Sequence, residues 1–179
     1  MDAIQRDLED VAAAIRAELR LEAEEAEREA AVSAGMRRTL AEVAAELMAH
    51  GDTVAVEVGG QTFTGTIAGV GADLVTIDIA GTRADVALAA VGRLRVVRRA
   101  RSGGTRRAPG EAPSLRARLL ELQLGGALVE VGTAGPGAVG DAVTGRVTVV
   151  GPDHVALGSG PDADWFVPMT AVAYIRTVL

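Results

Sequence analysis

Two stretches of this chain share a spelling. Gly65, Val70, Gly71, Asp73 and Val75 recur as Gly145, Val150, Gly151, Asp153 and Val155, at a constant offset of 80. Upstream, Leu40, Leu47 and Gly51 match Leu115, Leu122 and Gly126 at an offset of 75. Downstream, Val86, Leu88 and Val91 match Val167, Met169 and Val172 at an offset of 81. Offsets that hold within segments and drift only between them mark an internal duplication with loop insertions. The step from 75 to 80 falls in the glycine-rich stretch GTAGPGAVGD, expected as a loop between the first two strands of the second copy. Whatever one copy folds into, the chain contains it twice.

Hydrophobic periodicity says what is repeated. Residues 3–31 read as a helix, opened by a capping-box-like pair, Asp2 and Gln5. Ile4, Leu8, Val11, Ile15 and Leu19 recur at steps of three and four and form one narrow apolar face. Beyond Leu21 only Ala23, Ala26 and Ala30 continue it, among five glutamates. Such a face suits a partner helix or a docking groove; it also suits folding back on the rest of the chain. Ser33, Ala34 and Gly35 are expected to interrupt the helix. A second helix carries Met36, Leu40, Val43 and Leu47 on one face, with Gly51 as a left-handed C-cap.

After Gly51 the period becomes two. Val54, Val56 and Val58 alternate with Ala55 and Glu57, and Gly59-Gly60 is a hairpin turn. Further strands are expected over 61–68, 75–79, 86–88 and 94–97. Residues 98–113, RRARSGGTRRAPGEAP, have no period and read as a basic flexible linker. The pattern then restarts, with Ser114 as N-cap, Leu115, Leu119 and Leu122 as helix stripe, and Gly125-Gly126 as its stop. In the second strand of this copy, Val143, Val147 and Val149 are expected to face inward and Thr144, Arg146 and Thr148 outward. The repeated Val-Gly-x-Asp is a tight turn. There Gly71 and Gly151 are expected to supply a positive φ or a bulge, and Asp73 and Asp153 to accept from the turn's own amides. Short, evenly spaced, glycine-punctuated strands suggest small closed barrels. The predicted fold class is α+β: an acidic amphipathic helix (1–35), a helix-plus-five-strand barrel (36–97), a basic linker (98–113) and a second such barrel (114–179).

Composition narrows the chemistry. The 179 residues contain no cysteine, which excludes disulfides, thiolate catalysis and zinc–cysteine sites. Lysine and asparagine are also absent, and all 18 basic residues are arginine, a pattern we attribute to GC-rich coding. Residues 1–50 hold twelve acids against six arginines, whereas residues 51–179 are balanced. The acidic N-terminal segment therefore repels nucleic acid and favours a basic or neutral partner. An acidic start and the lack of a long apolar run lead us to expect a cytoplasmic protein without a membrane partner.

Candidate catalytic groups are few. His50 falls at a helix end and His154 in the repeated turn, where exposure or capping explains them. Ser33, Ser102, Ser114 and Ser159 fall in breaks or loops, none in a nucleophile-elbow pattern. Asp162 and Asp164 are too few oxygens for a hard cation, and GVGAD at Gly69 lacks the third glycine of a dinucleotide loop. No enzyme, cofactor, metal or small-molecule substrate is expected. The nucleic-acid candidates are Arg98, Arg99, Arg101, Arg106 and Arg107, whose guanidiniums can neutralise phosphate without reading sequence; pairing with the acidic helix is their rival role. Trp165 and Phe166 form one aromatic cluster. Phe166 is expected in the core with Trp165 at the rim, the alternative being that Trp165 is a binding hot spot.

A helix followed by five bent strands, with Gly-x-hydrophobic-x-x-hydrophobic-Gly-x-Asp across strands two and three, resembles the Sm-like family, a variety of SH3-like small barrel. The resemblance covers residues 36–97 and 114–179. The segment Val167-Pro-Met-Thr-Ala-Val172 also resembles the Sm-like C-terminal domain of bacterial ribosome-maturation proteins, and the layout resembles uncharacterised proteins of high-GC bacteria. The family implies rings that bind RNA, and two barrels per chain imply a six-membered ring from three chains. Its RNA-reading residues are missing here. Ile77 and Leu157 stand where an asparagine is usual, and Ala87-Leu88 and Pro168-Met169 replace the usual Arg-Gly. Two functions are therefore expected as alternatives. One is a non-catalytic interaction or scaffold protein that docks a protein partner, or itself, through the N-terminal helix. The other is an RNA- or DNA-associated regulator using the arginine linker.

Overall fold

The computed structural model describes residues 2–100, 112–135, 138–158 and 164–178, in two compact units, Met1–Thr39 and Leu40–Leu179. The first is one helix, α1 (Asp2–Met36). Alanine, glutamate, arginine and leucine, all strong helix formers, carry it straight through Ser33-Ala34-Gly35. The expected interruption falls later, over 37–39, so Met36 ends α1 and does not begin the next helix.

The second unit contains the duplication. Its first copy is α2 (Leu40–His50), β1 (Thr53–Val58), β2 (Gln61–Val70), β3 (Leu74–Ile79), β4 (Thr82–Ala87) and β5 (Val91–Arg98). Its second is α3 (Leu115–Gly125), β6 (Leu128–Gly135), β7 (Ala138–Val150), β8 (His154–Gly158), β9 (Asp164–Pro168) and β10 (Val172–Thr177). The copies agree in detail. A one-residue bulge interrupts β2–β3 pairing between Ile67 and Gly69, and β7–β8 pairing between Val147 and Val149. The Gly71 N–H donates to the Leu74 carbonyl and the Gly151 N–H to the His154 carbonyl, both at 2.8 Å. The fourth strand runs into a 3-10 turn, Leu88–Ala90 or Met169–Ala171, before the fifth.

The fold is α+β, but the two barrels expected from the strand spacing are not closed. The ten strands of the described residues form one open antiparallel sheet, in the order β5-β1-β2-β3-β4-β10-β6-β7-β8-β9. Closure would require β4 to bond the β5 of its own copy. Instead β4 gives its edge to β10, which bonds β6 on its other side. The last strand of the second copy thereby extends the ladder of the first.

Two cores form along this sheet, and each borrows from the other copy. Val54, Val56, Ile77 and Val86 pack with Ala44, Leu47 and Met48 of α2, and Tyr174 of β10 joins them. Leu119, Val131, Val155 and Leu157 form the second cluster, joined by Leu74 and Ala87 of the first copy. Gly132 makes room for this exchange: a Cβ there would overlap the Tyr174 ring.

Local expectations fare unevenly. Gly59-Gly60 turns the β1–β2 hairpin with φ of 53° and 76°, the left-handed pair that a two-residue hairpin needs. Gly71 and Gly151 are not among the positive-φ glycines. They are needed for space, since a Cβ at Gly71 would lie 2.8 Å from the Ala112 carbonyl oxygen and one at Gly151 would lie 2.6 Å from the His154 ring. The bulge at Thr148 flips the alternation behind it, so Val149 is exposed and not inward-facing. The glycine-rich insertion lengthens the β6–β7 ladder out to Gly135↔Ala138.

Candidate functional site

The copies meet along β4 and β10, in the register Tyr174↔Val86, Ile175↔Asp85 and Arg176↔Ala84. Asp85 is 4% exposed, in β4 between the buried Ala84 and Val86. Thr76 Oγ1 donates to its Oδ1 at 2.7 Å, and Arg118 Nε of α3 donates to its Oδ2 at 2.7 Å, crossing from the second copy to the first. Burial alone would lower the Arg118 pKa, but the bonds to Asp85 and Glu121 outweigh it and raise it. A second link crosses nearby. The Asp73 carboxylate accepts the Leu115 N–H at 2.9 Å, so it caps the helix of the other copy, where an amide of its own turn was expected. Asp153, its counterpart, bonds His154 Nδ1 at 2.8 Å.

On the same seam, Tyr174 meets Phe63 edge-to-face with ring centroids 4.9 Å apart. Its hydroxyl donates to Glu130 at 2.9 Å, and Arg176 bonds the same carboxylate at 2.7 Å. Burial and the Glu130 hydrogen bond push the Tyr174 pKa up to about 12, so it stays a neutral donor.

The arginine candidates divide. Arg98 ends β5 and reaches Thr53 Oγ1 at 3.5 Å. Arg99 lies 3.4 Å from Asp52, whose other carboxylate oxygen accepts the Ala100 N–H at 2.8 Å. Arg98 and Arg99 line one cavity of about 580 Å³ with Thr53 and Thr66. Arg101, Arg106 and Arg107 lie outside the described residues, as do Ser102, Ser159 and Asp162.

On the α1 stripe, Ile15 and Leu19 are 52% and 58% exposed; the side chains of Ile4, Leu8 and Val11 lie outside the described ones. Trp165 and Phe166 sit on β9, at one end of the sheet, 51% and 67% exposed. Phe166 was expected in the core and is not there. Pairing of β9 with β8 aims it away from the second cluster and toward the His154 ring, 5.9 Å off.

Among the described residues no group of three or more histidines and carboxylates is placed to hold a metal, and no helix is long and apolar enough to cross a membrane. The cross-copy pair Asp85–Arg118 is what sequence reasoning missed. Its signal was there: a lone aspartate inside Ala84-Asp-Val-Ala-Leu88. No protein-family model matches this sequence, and no curated protein matches it.

Proposed function

We propose that this chain is a non-catalytic interaction or scaffold protein, built on two fused Sm-like repeats and carrying a partner-docking N-terminal helix. The observation that carries this reading is the exposed apolar stripe of α1. Ile15 and Leu19 present aliphatic side chains to water on a helix rich in exposed glutamate. Docking that stripe in an apolar groove, or against another helix, removes apolar surface from water at roughly 25 cal/mol per Å². The acidic flanks favour a basic or neutral protein surface. A second reading, attachment to RNA or DNA, draws support from the cleft that sets Arg98 and Arg99 beside Thr53 and Thr66.

One experiment separates the two. The tagged full chain and its Ile15→Glu/Leu19→Glu variant are isolated side by side, with 260 and 280 nm absorbance recorded. The docking reading expects a defined protein that accompanies the wild type and is lost from the variant, with circular dichroism unchanged. Identical protein complements would end that reading. Nucleic acid that follows both chains and is released by salt would favour the arginine cleft.

A further inference from the structure

The two copies differ on one exposed face. Val149, Ala156 and Phe166 stand directly opposite one another across β7, β8 and β9, and so share one side of the sheet. Beside this row runs α3, bound to β7 by Arg116, which donates to the Gly151 carbonyl at 2.5 Å, and by Gln123, which donates to the Thr148 carbonyl at 2.8 Å. Leu120 and Leu124, one turn apart on α3, extend the apolar surface onto the helix. Val149 and Leu120 are exposed, Phe166 is 67% exposed and Leu124 90%. The equivalent positions of the first copy are Ala45, Ala49, Gly69, Thr76 and Asp85. All five are small or polar. Residues needed only to fold a repeat recur in both copies; this apolar face belongs to the second copy alone, so folding the repeat does not account for it.

We propose that this face receives α1 of a second molecule of the same chain, and that two molecules exchange their N-terminal helices reciprocally. The inference rests on the reading of α1 as a docking helix and names what it docks on. Exposed apolar surface of this extent on a soluble chain marks an interaction site, and the strip is bounded by charged groups as such sites are.

Shape, polarity and charge select the occupant. In the first copy the equivalent row Gly69–Thr76–Asp85 meets a helix, α3, whose Arg118 bonds Asp85. A face of this curvature therefore accepts a helix. Where the first copy offers a carboxylate to an arginine, the second offers a phenyl ring, which calls for an apolar helix stripe. The chain carries one: Ile15 and Leu19 are exposed on α1, and their spacing continues Ile4, Leu8 and Val11. Charge agrees as well. Residues 2–36 hold ten acids against four arginines, whereas the exposed Arg116 and Arg146 flank the receiving face. Opposite charges around an apolar contact favour this occupant over another acidic helix face, and so over α1 pairing with itself. Each molecule owns one helix and one face. Reciprocal exchange satisfies both and closes at two molecules, leaving nothing to propagate.

Light scattering over a concentration series tests this. The wild type is expected at twice the 18.3 kDa chain mass. Leu124→Glu/Phe166→Glu puts acid on the receiving face, and Ile15→Glu/Leu19→Glu removes the helix stripe. Each variant alone is expected to weaken dimerisation by at least about tenfold, as loss of central apolar contacts does. Circular dichroism is expected to stay unchanged, because all four side chains lie outside the two cores. Mixed one to one, the two variants are expected to form a heterodimer through the single contact they still share, the intact helix of one on the intact face of the other. A wild type that stays monomeric at every concentration would overturn the proposal while leaving α1 free to dock a different protein. A dimer lost with the α1 variant but kept with Leu124→Glu/Phe166→Glu would overturn the receiving face and leave the helix as the docking element. A dimer that survives both variants would overturn the exchange and exclude α1 from self-association. Two monomeric variants that fail to form the heterodimer would overturn it as well.

Discussion

Asp85 is a carboxylate buried between Ala84 and Val86, and it survives there because two donors reach it. Thr76 comes from the neighbouring strand and Arg118 from the helix of the other copy. Removing one donor from a buried charge costs more than the bond itself is worth, because the charge is left partly unpaired. Arg118→Ala is therefore expected to lower stability by about 2 kcal/mol, as urea unfolding would show. Glu130 makes a different statement. Burial opposes its charge, but hydrogen bonds from Arg176 and Tyr174 prevail and hold its pKa below the ordinary glutamate value. A carboxyl whose pKa is lower folded than unfolded contributes stability that is complete above the unfolded pKa, about 4.3. That contribution is lost as pH falls through the folded pKa. Between neutral pH and about pH 3, the wild type is expected to lose more stability than Glu130→Gln, and urea midpoints along that range measure the difference.

At the scale of elements, legibility followed the reach of the forces involved. Both helices of the repeat, with their caps at Ser114, Gly51 and Gly126, and the Gly59-Gly60 hairpin could be read because caps and turns are decided within a few residues. The duplication could be read because offsets need no structure at all. Strand interiors were located, but their bounds slipped: β4 runs over Thr82–Ala87, earlier than 86–88, because its first two residues, Thr82 and Arg83, face water and lack the apolar signal. Bulges were invisible. One extra residue at Thr148 turns Val149 outward, and no pattern of apolar residues announces it. The partner of β4 was equally hidden. Alternation shows that a strand has an inner face; it does not say which strand lies at its edge, and β4 could bond its own β5 or another copy's fifth strand with the same side chains. The candidate arginines and the aromatic pair could be picked from the sequence only by residue type. Exposure of Phe166 follows from the β8–β9 register, and the cross-copy role of Arg118 from packing between segments distant in the chain.

At the scale of the second unit, exchange across the seam decides how the two copies unfold. Tyr174 belongs by sequence to the second repeat and by packing to the first core, while Leu74 and Ala87 do the reverse. Separating the copies would expose these side chains, strip β4 and β10 of their shared ladder and leave the Asp85 carboxylate without Arg118. None of these losses can be confined to one half. The most protected backbone amides of β2–β3 and of β7–β8 are therefore expected to exchange with one common free energy, that of global unfolding. Ile77 is fully buried in the first core, and Ile77→Ala is expected to remove about 2–5 kcal/mol. If the two copies form one cooperative body, hydrogen exchange will show that loss equally in β2–β3 and in β7–β8, where no atom of Ile77 belongs. Loss confined to β2–β3 would mean that the copies unfold independently and that the seam is an interface between two folded bodies.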